Sequence, residues 1–230
     1  MRGNDFEYGP FSLKNGFCNQ PVPLRELARK IFMQFPWNGY EVIGCDINSN
    51  MLKIARGKAK KDRLNIKFFK GDMRTTRIGK FDAVITIFNA VGHLTKDDFE
   101  KSMRNIYENL DEGGVYIFDI NNLNYLREDD HIAALTIDWP KTDHDKKVRV
   151  IQFSTIDADG ILASYTTLVK QDSKKPKMSR SAQTLQVYTA KQLREMLQRN
   201  GFKVVGQYGI DGSKFSESKT DRIFTIAKKC

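Results

Sequence analysis

Cysteine is scarce in this 230-residue chain: Cys18, Cys45 and Cys230 are odd in number and too far apart for metal-ligand spacing, which argues against a disulfide framework and a zinc site. No apolar run approaches the ~20 residues of a membrane helix, and the opening Met1-Arg-Gly-Asn-Asp-Phe-Glu7 lacks the apolar stretch of a signal peptide. The expectation is therefore a cytoplasmic protein with no membrane partner. Internal repeats and low-complexity tracts are also missing; Ser173 to Ser181 comes nearest to a flexible loop. Acidic residues are outnumbered, 28 against 38 basic, and the net charge of +10 would attract phosphates or RNA non-specifically. The excess sits in Lys53 to Lys70, an amphipathic helix with the strand after it, and in Lys170 to Arg180, a polar stretch. Both read as solvated faces.

What the chain does have is a succession of short strand-like runs. Tyr40-Glu-Val-Ile-Gly-Cys-Asp46 and Ile66-Lys-Phe-Phe-Lys-Gly-Asp72 each end in an acid, and Phe81-Asp-Ala-Val-Ile-Thr-Ile-Phe-Asn89 and Gly113-Gly-Val-Tyr-Ile-Phe-Asp119 follow. Helix-like segments separate them. Asn48-Ser-Asn50 offers N-cap chemistry for a helix to about Lys61 with Met51, Leu52, Ile54, Ala55 and Ala59 on one stripe. A second runs from Lys96 to Leu110, closed by Gly113-Gly114. This alternation predicts an α/β fold, a Rossmann-like doubly wound and mostly parallel sheet, which binds ligands at the carboxyl ends of its strands. Asp46, Asp72 and Asn89 then share one rim.

The period changes in the second half, where Val148 to Ile156, Ile161 to Val169 and Ala182 to Tyr188 read as antiparallel strands, the first two joined by Asp157-Ala-Asp-Gly160. A helix from Thr189 to Arg199 and strands Phe202 to Tyr208 and Arg222 to Ala227 complete the chain. At this length one domain is expected, divided into an N-terminal arm and helix (1–38, the helix over Pro23 to Phe35), a nucleotide-binding core (39–147), an antiparallel insertion (148–188) and a C-terminal helix with strands (189–230).

These residues, in this order, resemble the class I S-adenosylmethionine-dependent methyltransferases of small-molecule type, from roughly Tyr40 to the C-terminus. Asp46-Ile-Asn-Ser-Asn-Met-Leu-Lys-Ile-Ala55 is similar to the family's ribose-binding acid and following helix, Gly71-Asp72-Met73 to its adenine-binding turn, and Phe88-Asn-Ala-Val-Gly-His93 to the loop bordering methyl transfer. The resemblance implies S-adenosylmethionine as cofactor. Asp46 would hold the ribose hydroxyls, Asp72 the exocyclic amine, Ile47 and Met73 the purine face, and Phe88 and Asn89 would border the transferred methyl group, with His93 as the candidate base. Asn89 could also orient the acceptor, and the bland alternatives are a helix-capping Asp46, a turn-forming Asp72, an Asn89 that merely ends its strand and a structural His93.

The family's first strand and Gly-rich loop, of the type Asp/Glu-x-Gly-x-Gly-x-Gly, are missing; only Pro36-Trp-Asn-Gly39 separates the first helix from Tyr40, and no Gly-x-Gly occurs upstream. Glycines are needed there because backbone must approach the ligand closely. Either the chain has lost the element, or the sequence omits residues that the working protein possesses. The Asn/Asp/Ser-Pro-Pro-Tyr/Phe tetrad of nucleic-acid amino-methylating enzymes is replaced by Phe88-Asn-Ala-Val91, which speaks against a nucleic-acid partner. The antiparallel insertion resembles that of small-molecule N- and O-methyltransferases, where it forms a wall or dimer contact, so a small-molecule acceptor and a homodimer through this insertion are expected. Tyr8, Phe11 and Phe17 are candidates to lid the pocket. A catalytically inactive methyltransferase-fold binding protein is the alternative function, and a nucleotide-dependent oxidoreductase the third.

Overall fold

The computed structural model describes residues 40–128, 135–137, 141–143, 146–171 and 176–230. The N-terminal arm, its aromatic residues and the helix expected over Pro23 to Phe35 lie outside the described residues.

Strand β1 (Ile43–Asp46), helix α1 (Ser49–Lys61) and strand β2 (Lys67–Lys70) form a βαβ unit, with β1 and β2 parallel and Asp46 opposite Lys70. Asn48 caps α1 by accepting from the N–H groups of Asn50 and Met51, as its side chain predicts. A second parallel unit runs from β3 (Phe81–Thr86) through a 3₁₀ turn (Ala90–His93) and α2 (Lys96–Asn109) to β4 (Leu110–Asn121). After the short helix α3 (Leu123–Arg127), strands β5 (Leu135–Ile137), β6 (Lys141–Asp143), β7 (Lys146–Ile156), β8 (Ile161–Gln171) and β9 (Lys177–Gln186) build an antiparallel sheet. Helix α4 (Ala190–Arg199), β10 (Phe202–Gly209) and β11 (Arg222–Lys229) end the chain.

Strand order in the C-terminal portion of the core is β10-β11-β4-β3, with β11 antiparallel to both neighbours. Among the described residues β1 pairs only with β2, and β3 only with β4, so the core consists of two sheets. Ala83 on β3 is exposed.

Alternation on β4 sets the core: Tyr116, Phe118 and Ile120 are fully buried, while Val115 and Ile117 on the other face are half-buried. Phe99 of α2 meets Phe118 edge-on at 5.5 Å and Tyr188 at 5.6 Å; Tyr107 meets Phe202 edge-on at 5.4 Å. Leu193 and Leu197 of α4 complete the cluster.

Several boundaries differ from expectation. Gly113-Gly114 do not close α2. The helix gives way to extended backbone at Leu110, and Gly113, at φ +75°, lies in an irregularity where the β3–β4 register shifts between Phe81 and Ala83. Lys177 to Ser181, expected as loop, are strand, because each residue from Lys177 to Gln186 pairs with β8. Phe88 and Asn89 fall after β3 rather than in it. The outer face of the antiparallel sheet exposes Ile151, Phe153, Tyr165 and Met178, the surface on which a self-contact through the insertion would fall.

Candidate functional site

Asp46 ends β1 and Gly71-Asp72 follow β2. The parallel register sets these two strand ends side by side, and the Gly71 N–H donates to the Asp46 carbonyl at 3.1 Å. Between them lies Cys45. Burial pushes its thiol pKa up, and the Asp46 and Asp72 charges push it further. Gly71 is required here, since a Cβ would stand 2.5 Å from the Thr76 hydroxyl and 2.8 Å from the Cys45 sulfur.

The two acids differ in how far their oxygens are occupied. Asp46 is half-buried and among the described residues accepts one hydrogen bond, from the Asn48 N–H at 2.7 Å on Oδ1. Burial raises its pKa, opposed by that donor. A carboxylate offers about four lone-pair sites, so most of this acceptor capacity is open, in surroundings where a new donor is strongly favoured. Beside it, Ile47 is 61% exposed, an apolar surface next to an acceptor.

Asp72 is saturated. Its Oδ1 accepts from the Arg74 backbone N–H at 2.9 Å and from Arg74 Nε at 3.0 Å; its Oδ2 accepts from Nε at 3.0 Å and Nη2 at 2.6 Å. The guanidinium holds the Asp72 carboxyl below the ordinary carboxylate range. Arg74 Nη1 reaches on to Asp98 Oδ2 at 2.7 Å, tying the turn to α2. The turn's backbone is fastened to the same helix: Met73 O accepts from Asn105 Nδ2 at 3.0 Å, and Thr76 O from Asn105 and Asn109 at 2.8 and 3.2 Å. The Met73 side chain packs against the core.

Phe88, Asn89 and His93 gather at the end of β3, linked to the Asp72 turn through α2. Phe88 and Asn89 both have positive φ, 62° and 57°; consecutive left-handed residues, one of them bulky, each store about 1–3 kcal/mol. Asn89 spends its polar atoms on the frame. Its N–H donates to Asp119 Oδ1 at 3.4 Å and its Oδ1 accepts from the Asn121 N–H at 3.1 Å. Asp119, fully buried, also pairs with Arg222, whose guanidinium lies 6.0 Å from the centre of the Phe88 ring. His93 is exposed, yet the protein around it desolvates the ring and lowers its pKa, which favours the neutral imidazole.

Sequence reasoning missed Arg74, Asp98, Asp119 and Arg222 as members of this region. Arg74, two residues after Asp72, carried a local signal. The Asp119–Arg222 pair spans 103 residues and carried none.

The fold, a βαβ pair and a second parallel unit flanked by an antiparallel hairpin strand with acids at the strand ends, is that of the class I S-adenosylmethionine-dependent methyltransferases. An S-adenosylmethionine-dependent methyltransferase from Clostridium acetobutylicum superimposes with a TM-score of 0.70 at 20% identity, covering 83% of this chain and 75% of that one. A SAM-bound amino pentose methyltransferase from Micromonospora echinaspora gives 0.68 at 18% identity over 89% and 79%. In sequence, residues 24–114 match the family model of the methyltransferase domain. A protein of Geobacillus sp. (strain WCH70) named as a methyltransferase is 26% identical over 196 residues, 83% of this chain and 76% of that protein. The sequence match covers residues 24–114, and the fold is that of the S-adenosylmethionine-dependent methyltransferases on which the chain superimposes.

Proposed function

We propose that this chain transfers a methyl group from S-adenosylmethionine to the nitrogen or oxygen of a small molecule. One observation carries the cofactor reading: the half-buried Asp46 carboxylate, with open acceptor sites at the end of β1, stands beside the Gly71-Asp72 turn and the exposed Ile47. Two ribose hydroxyls match that acceptor, and an adenosyl group lying against Ile47 would extend toward the turn after β2. When bound, S-adenosylmethionine supplies a methyl group on a sulfonium, open to displacement by an acceptor held in line. The chain's own part is positioning, and where the acceptor must lose a proton, the neutral imidazole of His93 is the group to take it. The antiparallel sheet beside α3 and the likeness to an amino pentose methyltransferase support a small acceptor such as an amino sugar.

A second reading has an observation of its own. No Gly-x-Gly occurs upstream of Tyr40 to cradle the methionine end of the cofactor, which favours a binding protein without catalysis. Calorimetric titration with S-adenosylhomocysteine, followed by transfer of labelled methyl from S-adenosylmethionine to a panel of amino sugars, separates the two. Heat with transfer supports the enzyme, and heat without transfer supports the binding protein. Asp46→Ala should weaken S-adenosylhomocysteine binding beyond detection; unchanged affinity would remove the ribose assignment.

A further inference from the structure

We propose that Arg74 is an exchangeable place-holder on Asp72, occupying the carboxylate until an amino-bearing purine displaces it, with Asp98 holding the guanidinium meanwhile. The inference rests on the cofactor reading above. All four hydrogen bonds that Asp72 accepts come from Arg74, one from its backbone and three from its side chain. Since a carboxylate has about four acceptor sites, an exocyclic amine can be accepted there only if an Arg74 side-chain donor leaves. Leaving is easy because the arginine already shares itself between two acids, with Nη1 at 2.7 Å from Asp98 Oδ2. Displacement does not strand the guanidinium, which keeps Asp98.

The Asp72 turn itself does not depend on the guanidinium. Its backbone is held by Thr76, whose hydroxyl accepts from the Asp72 N–H at 2.7 Å, and by Asn105 and Asn109 of α2. Asp98 is in turn steadied by Lys101, which donates to its Oδ1 at 2.9 Å. The carboxylate is thus fixed in place while its occupant is free to change. A fixed acceptor with a removable occupant makes Arg74 a positioning and selectivity residue, because a ligand must offer a donor good enough to replace a guanidinium N–H.

The two partners of Arg74 then have opposite effects. Removing the arginine side chain in Arg74→Met frees Asp72 and should tighten S-adenosylhomocysteine binding roughly 3- to 10-fold. Removing the holding charge in Asp98→Asn leaves Arg74 to Asp72 alone and should weaken binding by a similar factor. The purine analogue of S-adenosylhomocysteine that carries hydrogen in place of the amine, and no N1–H, offers Asp72 no donor and should bind Arg74→Met and wild type alike.

Calorimetry with both ligands on wild type and the two variants, beside a melting curve for each, decides the matter. Should Arg74→Met fail to fold, Arg74→Lys, which keeps the charge and loses the planar fork, carries the same expectation. Both variants moving the same way, or equal changes for the two ligands, overturns the place-holder. Heat absent from every protein, wild type included, overturns the cofactor reading and the place-holder with it.

Discussion

Phe88 is held in a left-handed conformation that a bulky side chain rarely adopts, and the means of holding it are polar and long-range. Asp119 takes the N–H of the next residue and pairs with Arg222, which covers the Phe88 ring. None of this could be read from neighbouring residues, because the turn's conformation is dictated by a pair joined across β4 and β11. Asp46 and Asp72, by contrast, were legible as acids ending apolar runs. What the sequence could not show is their unequal occupancy, which depends on where the Arg74 fork points. His93 gives a prediction at this scale. Its folded-state pKa lies below the 6.5 of an unhindered imidazole, so the stability it contributes is present above pH 6.5 and is lost as pH falls from there through the folded value. A proton NMR titration of the ring should show a midpoint below 6.5, and a midpoint above it would remove the desolvation argument.

Helix α4 shows an element whose sequence signals agreed with one another. Thr189 accepts from the Gln192 N–H at 3.1 Å while the Gln192 side chain accepts from the Thr189 N–H at 2.8 Å, a reciprocal cap. Leu193, Met196 and Leu197 are buried on one face. Thr189→Ala should lower the unfolding free energy by about 1 kcal/mol, measured by chemical denaturation, since it strips one donor of its partner. The Gly113-Gly114 pair misled for a physical reason. A glycine after a periodic run signals a helix stop, but here the helix ends at Asn109 without one, and Gly113 serves an irregular strand entry with φ +75°. Strand β9 was read too short because Lys177-Met-Ser-Arg-Ser-Ala182 is polar, and its strand character comes from pairing with β8 rather than from apolar alternation.

At the scale of the whole molecule, how the described strands pair sets how they open. Strand β4 is bonded on both sides, to β3 and β11, whereas β1 and β3 each present an edge without a strand partner among the described residues. Native-state hydrogen exchange should therefore find the amides of Tyr116, Phe118 and Ile120 among the most protected, and those of β1 opening at much lower free energy. Equal protection across the two sheets would show that they unfold as one unit. The parallel units, the crossover helices and the antiparallel insertion were all apparent from hydrophobic period.

Strand β11 lies between β4 and β10, although it comes after both in the chain. As the polypeptide leaves the ribosome, β4 must wait for about a hundred further residues before its second edge is paired. Throughout that interval the Asp119 carboxylate has yet to meet Arg222, its counter-ion from β11. The nascent chain thus carries an unsealed edge and an unneutralised acid together, and both are closed by the same late strand. Assembly of the core is committed only when β11 arrives, so a stalled or shortened chain would be the form most prone to aggregate.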